Sequence, residues 1–197
     1  MSLDDIRKDI DTIDSSIRDL VMKRLDCSSR VIHSKIEDGN YVIYRADREA
    51  AMIARLGEGI PDDRKDGYLA LVRKITETSR MYQYGILYDE MSQLFAPLIA
   101  GISIPSDCRT VRLVLSRPDI PNGISPILSM IGDYGYTLSD IRILERSDAA
   151  VEGGSQETDT VVKWELAVRG NLNEEKMRKL MLQLSFESTD FHIIEAV

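Results

Sequence analysis

Several residues in the first half of the sequence have the types and spacing to hold a small anion. Arg24 and Lys35 are eleven residues apart. At 100° per residue that interval returns to within about 20° of the same helix face, some 16 Å further along the axis, so the two cations bracket a space between them. In "IYRADREA" (43–50), Arg45, Arg48 and Glu49 fall at i, i+3 and i+4, which puts two cations and a carboxylate on one helix face. Ser79 and Gln83 form a further i, i+4 polar pair between the apolar positions Ile75, Met81 and Ile86. A single such residue is usually part of a solvated face, worth a few tenths of a kcal/mol in local pairing. Three groups on three helices that could face one cavity are a different proposition. They offer fixed positive charge, amide and hydroxyl donors and one acceptor, a set suited to holding an anion and stabilising charge that develops on it.

The elements that would position these residues follow from hydrophobic periodicity. Apolar residues recur at helical spacing from Leu3 to Ile36 with no Pro or Gly, which predicts one helix about 50 Å long. Two short helices of the same chain cannot cover so long an apolar face, so a partner helix from a second copy, a homodimer, is expected. Gly39-Asn40 ends this helix, a second runs from about Arg45 to Leu56, and a third begins near Asp62 and continues past Gln83 toward Phe95. Met22, Val31, Ile32, Met52, Val72 and Ile75 are expected in the core or the pocket wall.

After "GISIPSDC" the pattern changes to β-branched runs at Thr110–Ser116, Leu138–Leu144, Val161–Val168 and Phe191–Val197, with helices at Ile124–Tyr134 and Glu174–Phe186. That is the split β-α-β-β-α-β order, with a polar loop at 147–160 read as a flexible connection. The expected organisation is an all-α domain over 1–96, a linker over 97–108 and an α+β domain over 109–197.

Composition limits the classes of function. The formal net charge of −8 argues against a nucleic-acid partner, but residues 1–85 hold 15 Lys/Arg against 16 Asp/Glu and the remainder 10 against 17, so anion binding belongs to the first half. Cys27 and Cys108 are too few for a disulfide framework, and with only His33 and His192 there is no zinc ligand set, so no metal is expected. No apolar run approaches the ~20 residues of a membrane span, and a cytoplasmic protein without a targeting signal or membrane partner is expected.

Taken in order, these elements resemble the all-helical chorismate mutases, including the mutase domain of bifunctional prephenate-pathway enzymes. "LDDIRKDIDTID" (3–14) resembles the first-helix signature, with Arg7 and Asp14 seven apart, and "KRLDCSSRVIHSK" (23–35) supplies Arg24 and Lys35. "IYRADREA" is similar to the Tyr-Arg-x-x-Arg-Glu opening of the second helix, and "ETSRMYQ" (77–83) to the Ser-x-x-x-Gln of the third. The likeness covers about residues 3–85. It implies an intertwined dimer that isomerises chorismate to prephenate, an intramolecular transfer needing no cofactor, in phenylalanine and tyrosine biosynthesis.

It further implies that Arg24 holds one substrate carboxylate, and that Arg7 from the partner chain, with Arg48, holds the other charged group. Arg7 lies about 42 Å along a straight helix from Lys35 and cannot reach the same pocket in its own chain. Lys35 and Gln83 would donate to the ether oxygen, Glu49 would accept from the ring hydroxyl, and Ser79 would line the carboxylate end. Arg45 would be a helix-start residue or act through its neighbours. An amide at position 83 donates at any pH, so activity at neutral pH is expected.

Residues 109–197 resemble an ACT domain, a β-α-β-β-α-β regulatory module that binds amino acids. "RPDIPNGISPIL" (117–128) is similar to its loop from first strand to first helix, which implies an effector site around Asp119, Asn122, Gly123 and Ile124, with phenylalanine or tyrosine as effector. The sequence departs from the dehydratase-linked branch at "NGIS" and at "LERS" (144–147), and a module that only dimerises is the plainer alternative. Two other functions compete with the mutase: an isochorismate-pyruvate lyase, which would use the same helical dimer, and a non-catalytic amino-acid sensor.

Overall fold

A computed structural model describes residues 2–121, 123–148 and 160–197. The chain forms two compact units, Met1–Asp89 and Glu90–Val197. The first is entirely helical: α1 (Leu3–Glu37), α2 (Ala46–Leu56) and α3 (Asp62–Glu90).

At its start α1 is fixed by a capping box. Asp5 N–H donates to Ser2 Oγ at 3.2 Å and Ser2 N–H to Asp5 Oδ2 at 2.8 Å, satisfying donors that have no partner in the first turn. It stops at a Schellman turn, in which Gly39 N–H bonds Ile36 O at 3.0 Å and Asn40 N–H bonds Lys35 O at 2.8 Å. Gly39 takes φ +66°, the left-handed conformation that glycine adopts at no steric cost.

Along its 35 residues α1 buries only Ser28 and Ile32. Ile6, Ile10, Ile13 and Ile17 are exposed, Ile13 by 57%, together with Leu3 and Leu20. Ile32 and Val72 are buried as expected, whereas Met22, expected in the core or pocket wall, is 51% exposed in the single chain. It lies on the length of helix that no element of this unit covers.

α2 starts one residue later than its periodicity predicts, because Arg45 is extended (φ −133°, ψ 92°) and serves as its N-cap. The third helix also falls short of the expected reach toward Phe95. It stops at Glu90, Met91 leaves the helical region (φ −128°, ψ 45°), and two short 3-10 turns follow at Ser92–Leu94 and Ala96–Ile99. Pro97 sits in the first turn of the latter, and the α conformation is disfavoured at the residue before a proline.

The second unit contains β1 (Thr110–Pro118), α4 (Ser125–Asp133), β2 (Thr137–Asp148), β3 (Thr160–Arg169), α5 (Glu175–Glu187) and β4 (Thr189–Ala196). The β-α-β-β-α-β order read from the sequence is present, as a four-stranded antiparallel sheet ordered β2-β3-β1-β4. Leu113 pairs with Leu166 on one side and Ile193 on the other, and these three are buried with Leu115, Ile127, Ile131 and Leu180. Most of the 147–160 loop lies outside the described residues.

Candidate active site

The three helices of the first unit enclose a cavity of about 640 Å³, within the range of small-molecule sites. α1 contributes Arg24 and Lys35 to its wall, α2 with its N-cap contributes Arg45, Arg48, Glu49 and Arg55, and α3 contributes Thr76, Ser79, Arg80 and Gln83. The helical spacings explain this convergence. Arg48, Met52 and Arg55 follow at i, i+4 and i+7 on α2, and Thr76, Ser79, Arg80 and Gln83 at i, i+3, i+4 and i+7 on α3, so each helix presents one face. Val31 and Met52 supply apolar wall.

Hydrogen bonds hold the polar groups in place. Arg24 Nη1 donates to Ser79 Oγ and, at 3.3 Å, to the Ile75 carbonyl, which ties α1 to α3. Ser79 Oγ in turn donates to the Ile75 carbonyl at 2.9 Å, and Gln83 Nε2 to the Ser79 carbonyl at 3.2 Å. Lys35 Nζ donates to the Val42 carbonyl. Burial, and then the positive charges of Arg48 and Arg45, hold its ammonium below the usual lysine range.

Charge is the dominant property of the cavity. Six of the side chains that line it are cationic (Arg24, Lys35, Arg45, Arg48, Arg55 and Arg80), against the single carboxylate of Glu49. Arg45 is partly neutralised at the rim, since its Nε and Nη2 grip Asp47 at 3.1 and 2.9 Å and its guanidinium draws that carboxyl down to about 2. The remaining excess of positive charge in a partly open cavity favours an anionic ligand.

Six sequence-predicted residues, Arg24, Lys35, Arg48, Glu49, Ser79 and Gln83, thus line one cavity. Arg7 does not: its side chain is 66% exposed and its Nη1 meets Asp4 at 3.3 Å on the same helix. Arg80 was not predicted from the sequence. Its side chain is only 9% exposed, it forms an ion pair with Glu49, and its guanidinium carbon stands 4.8 Å from the Tyr44 ring centroid. Arg55 was missed as well, although it lies one heptad beyond Arg48.

In the second unit, Asp119 pairs with Arg146, and Gly123 is buried with its carbonyl accepting from Arg117 Nε at 3.1 Å. Arg117 Nη1 donates in addition to the Glu187 carbonyl at 2.6 Å, so one guanidinium pins the β1–α4 loop to the end of α5. A Cβ on Gly123 would stand 2.5 Å from the Pro118 carbonyl oxygen, which explains glycine there. Ile124 is the N-cap of α4, and Asn122 lies outside the described residues.

Comparison with known proteins gives the class of the helical unit. Residues 6–84 match the model of the family Chorismate mutase type II. The match spans the unit that builds the cavity, which is similar over those residues to a chorismate mutase type II domain. The match ends before the sheet-containing unit begins. No curated protein matches the sequence. A solved structure described as "GqqA- a novel type of quorum quenching acylases" aligns at 15% identity with a TM-score of 0.37, over 49% of this chain and 45% of that one. The chain thus spans less than half the length of that protein, and a likeness at this level carries no argument. Among the described residues no helix is long and apolar enough to cross a membrane.

Proposed function

We propose that the helical unit is a chorismate mutase that converts chorismate to prephenate. The observation that carries this is the convergence of Arg24, Lys35, Arg48, Glu49, Ser79 and Gln83 on one cationic cavity inside the segment that matches the family. The substrate is a dianion, and its two charges can be met by cavity cations other than Arg80, which pairs with Glu49, and Arg45, which pairs with Asp47. In the reaction one carbon–oxygen bond breaks as one carbon–carbon bond forms within a single molecule, with no proton transferred and no group lost. Catalysis reduces to holding the compact conformer and stabilising negative charge on the ether oxygen.

Arg24, held by Ser79 and the Ile75 carbonyl, binds one carboxylate. Arg48 binds the other, with Arg7 of a second copy. Lys35 and Gln83 approach the ether oxygen as donors, and Glu49 accepts from the ring hydroxyl. A millionfold acceleration asks about 8 kcal/mol of these contacts together. The homodimer is supported by the exposed apolar stripe of α1 and by the distance of Arg7 from its own cavity.

The second unit, in this proposal, is an ACT-type module that binds phenylalanine or tyrosine at the β1–α4 loop and regulates the mutase. Its support is the split β-α-β-β-α-β order and the tight approach at Gly123.

The test is loss of chorismate absorbance with purified protein. Wild type turns over, and Lys35→Ala reduces kcat/KM by about a hundred- to a thousandfold, as removal of an oxyanion donor does. An inactive wild type, or a Lys35→Ala variant as fast as wild type, overturns the proposal.

A further inference from the structure

Glu49 is the one carboxylate among the cavity's lining residues, which raises the question of what keeps it from neutralising a cation the substrate needs. Five other cations share the cavity: Arg24 and Lys35 from α1, and Arg45, Arg48 and Arg55 from α2 and its N-cap. A carboxylate among several cations attracts whichever of them it can reach. If that were Arg48 or Lys35, the cation would be lost to the substrate.

Arg80 prevents this. It reaches from α3 to Glu49 Oε2, and its guanidinium is fixed by burial and by the Tyr44 ring 4.8 Å away. Tyr44 immediately precedes the N-cap of α2. An ionised carboxylate has lone pairs on both oxygens, so a bond to Oε2 still leaves acceptor capacity.

We infer that Arg80 is a positioning residue which, stacked on Tyr44, holds Glu49 oriented as the acceptor for the substrate's ring hydroxyl, keeping the other cavity cations available for the carboxylates. This rests on the mutase proposal and adds a determinant of substrate selectivity to it. Arg80 acts through Glu49, so its contribution is confined to substrates that carry the hydroxyl.

The experiment compares chorismate with the analogue in which that hydroxyl is replaced by hydrogen, in wild type, Arg80→Gln, Arg80→Lys, Tyr44→Leu, Glu49→Gln and the Arg80→Gln/Glu49→Gln double variant. Wild-type turnover of chorismate tests the mutase reading by itself, and an inactive wild type overturns both. Given an active wild type, Arg80→Gln lowers kcat/KM for chorismate about ten- to hundredfold, the range for a charged hydrogen bond, and for the analogue less than about threefold. Arg80→Lys, which keeps the charge without the planar fork, recovers part of the loss. Tyr44→Leu leaves both charges in place and gives a smaller change in the same direction, which keeps the test open should the Arg80 variants fold poorly. In the Glu49→Gln background, Arg80→Gln costs little more, because the two act as one unit. Equal losses on both substrates, or additive losses in the double variant, would show a strut between helices and overturn the inference.

Discussion

Lys35 illustrates how the cavity's charge sets the conditions under which it works. In the proposed mutase the protonated ammonium is the donor, so kcat/KM should be sustained below the Lys35 pKa and lost as pH rises through it. Burial and the neighbouring Arg48 and Arg45 lower that pKa, so the alkaline fall begins earlier than for a free lysine. Arg45→Gln removes one of the two repelling charges from an exposed rim position, and the pH profile of kcat/KM should move its alkaline limb upward. Gln83 gives the complementary case. Its amide donates at all pH values, whereas Gln83→Glu presents a donor only when protonated. That variant should retain activity at acidic pH and lose most of it by neutrality, a dependence that rate measurements from pH 5 to 8 would reveal. At this scale much of the cavity was legible, because Arg24, Lys35, Arg48, Glu49, Ser79 and Gln83 declare themselves by helical spacing and by order along the chain. Arg80 did not, since a basic residue beside Ser79 looks like any solvated arginine until its burial and its partner on another helix are known. Both of those are products of tertiary packing.

At the scale of elements, α1 is the least self-sufficient part of the molecule. Its capping box and Schellman turn define its ends, but Leu3, Ile6, Ile10, Ile13, Ile17 and Leu20 remain exposed along it. Periodicity made this legible, because the stripe is longer than α2 and α3 can cover. The shorter errors have local causes. Met91 drops out of the helical region, so α3 does not run on to Phe95. If a second copy covers the stripe and lends Arg7, mixing two inactive variants should restore activity. In a heterodimer of Arg7→Ala with Lys35→Ala, one site has both intact residues and the other has neither. Random reassortment makes half the dimers mixed, each with one working site, so about a quarter of wild-type activity is expected after mixing and unfolding–refolding. A mixture as inactive as its components would show that Arg7 does not serve the neighbouring site.

Over the whole molecule, charge and periodicity divide at nearly the same place. The first 85 residues are close to neutral yet concentrate cations in one cavity, and the rest carries most of the net −8 on a sheet-based unit. The switch from helical spacing to alternating β-branched runs made the second fold legible. Its β1–α4 loop was harder to read, because "PNG" signals a tight turn equally well whether or not anything binds there. What sets this turn apart is spatial: Gly123 sits under the Pro118 carbonyl, while the Arg117 guanidinium donates both to the Gly123 carbonyl and to the Glu187 carbonyl at the end of α5. A ligand at this loop would therefore meet a backbone already held from two sides, and its binding should register as stability. At a hundred times Kd it adds about 2.7 kcal/mol, which for a unit of this size raises the melting temperature by roughly 10–20 °C. Phenylalanine or tyrosine should produce that rise and alter mutase turnover at the same concentrations. Gly123→Ala forces the Pro118 carbonyl to move and should abolish both responses, with basal turnover within about twofold of wild type because the site is remote from the cavity's residues in sequence and unit. If millimolar phenylalanine, tyrosine and tryptophan all leave the melt and the kinetics unchanged, the second unit does not sense an aromatic amino acid, and association between sheet units becomes its remaining role.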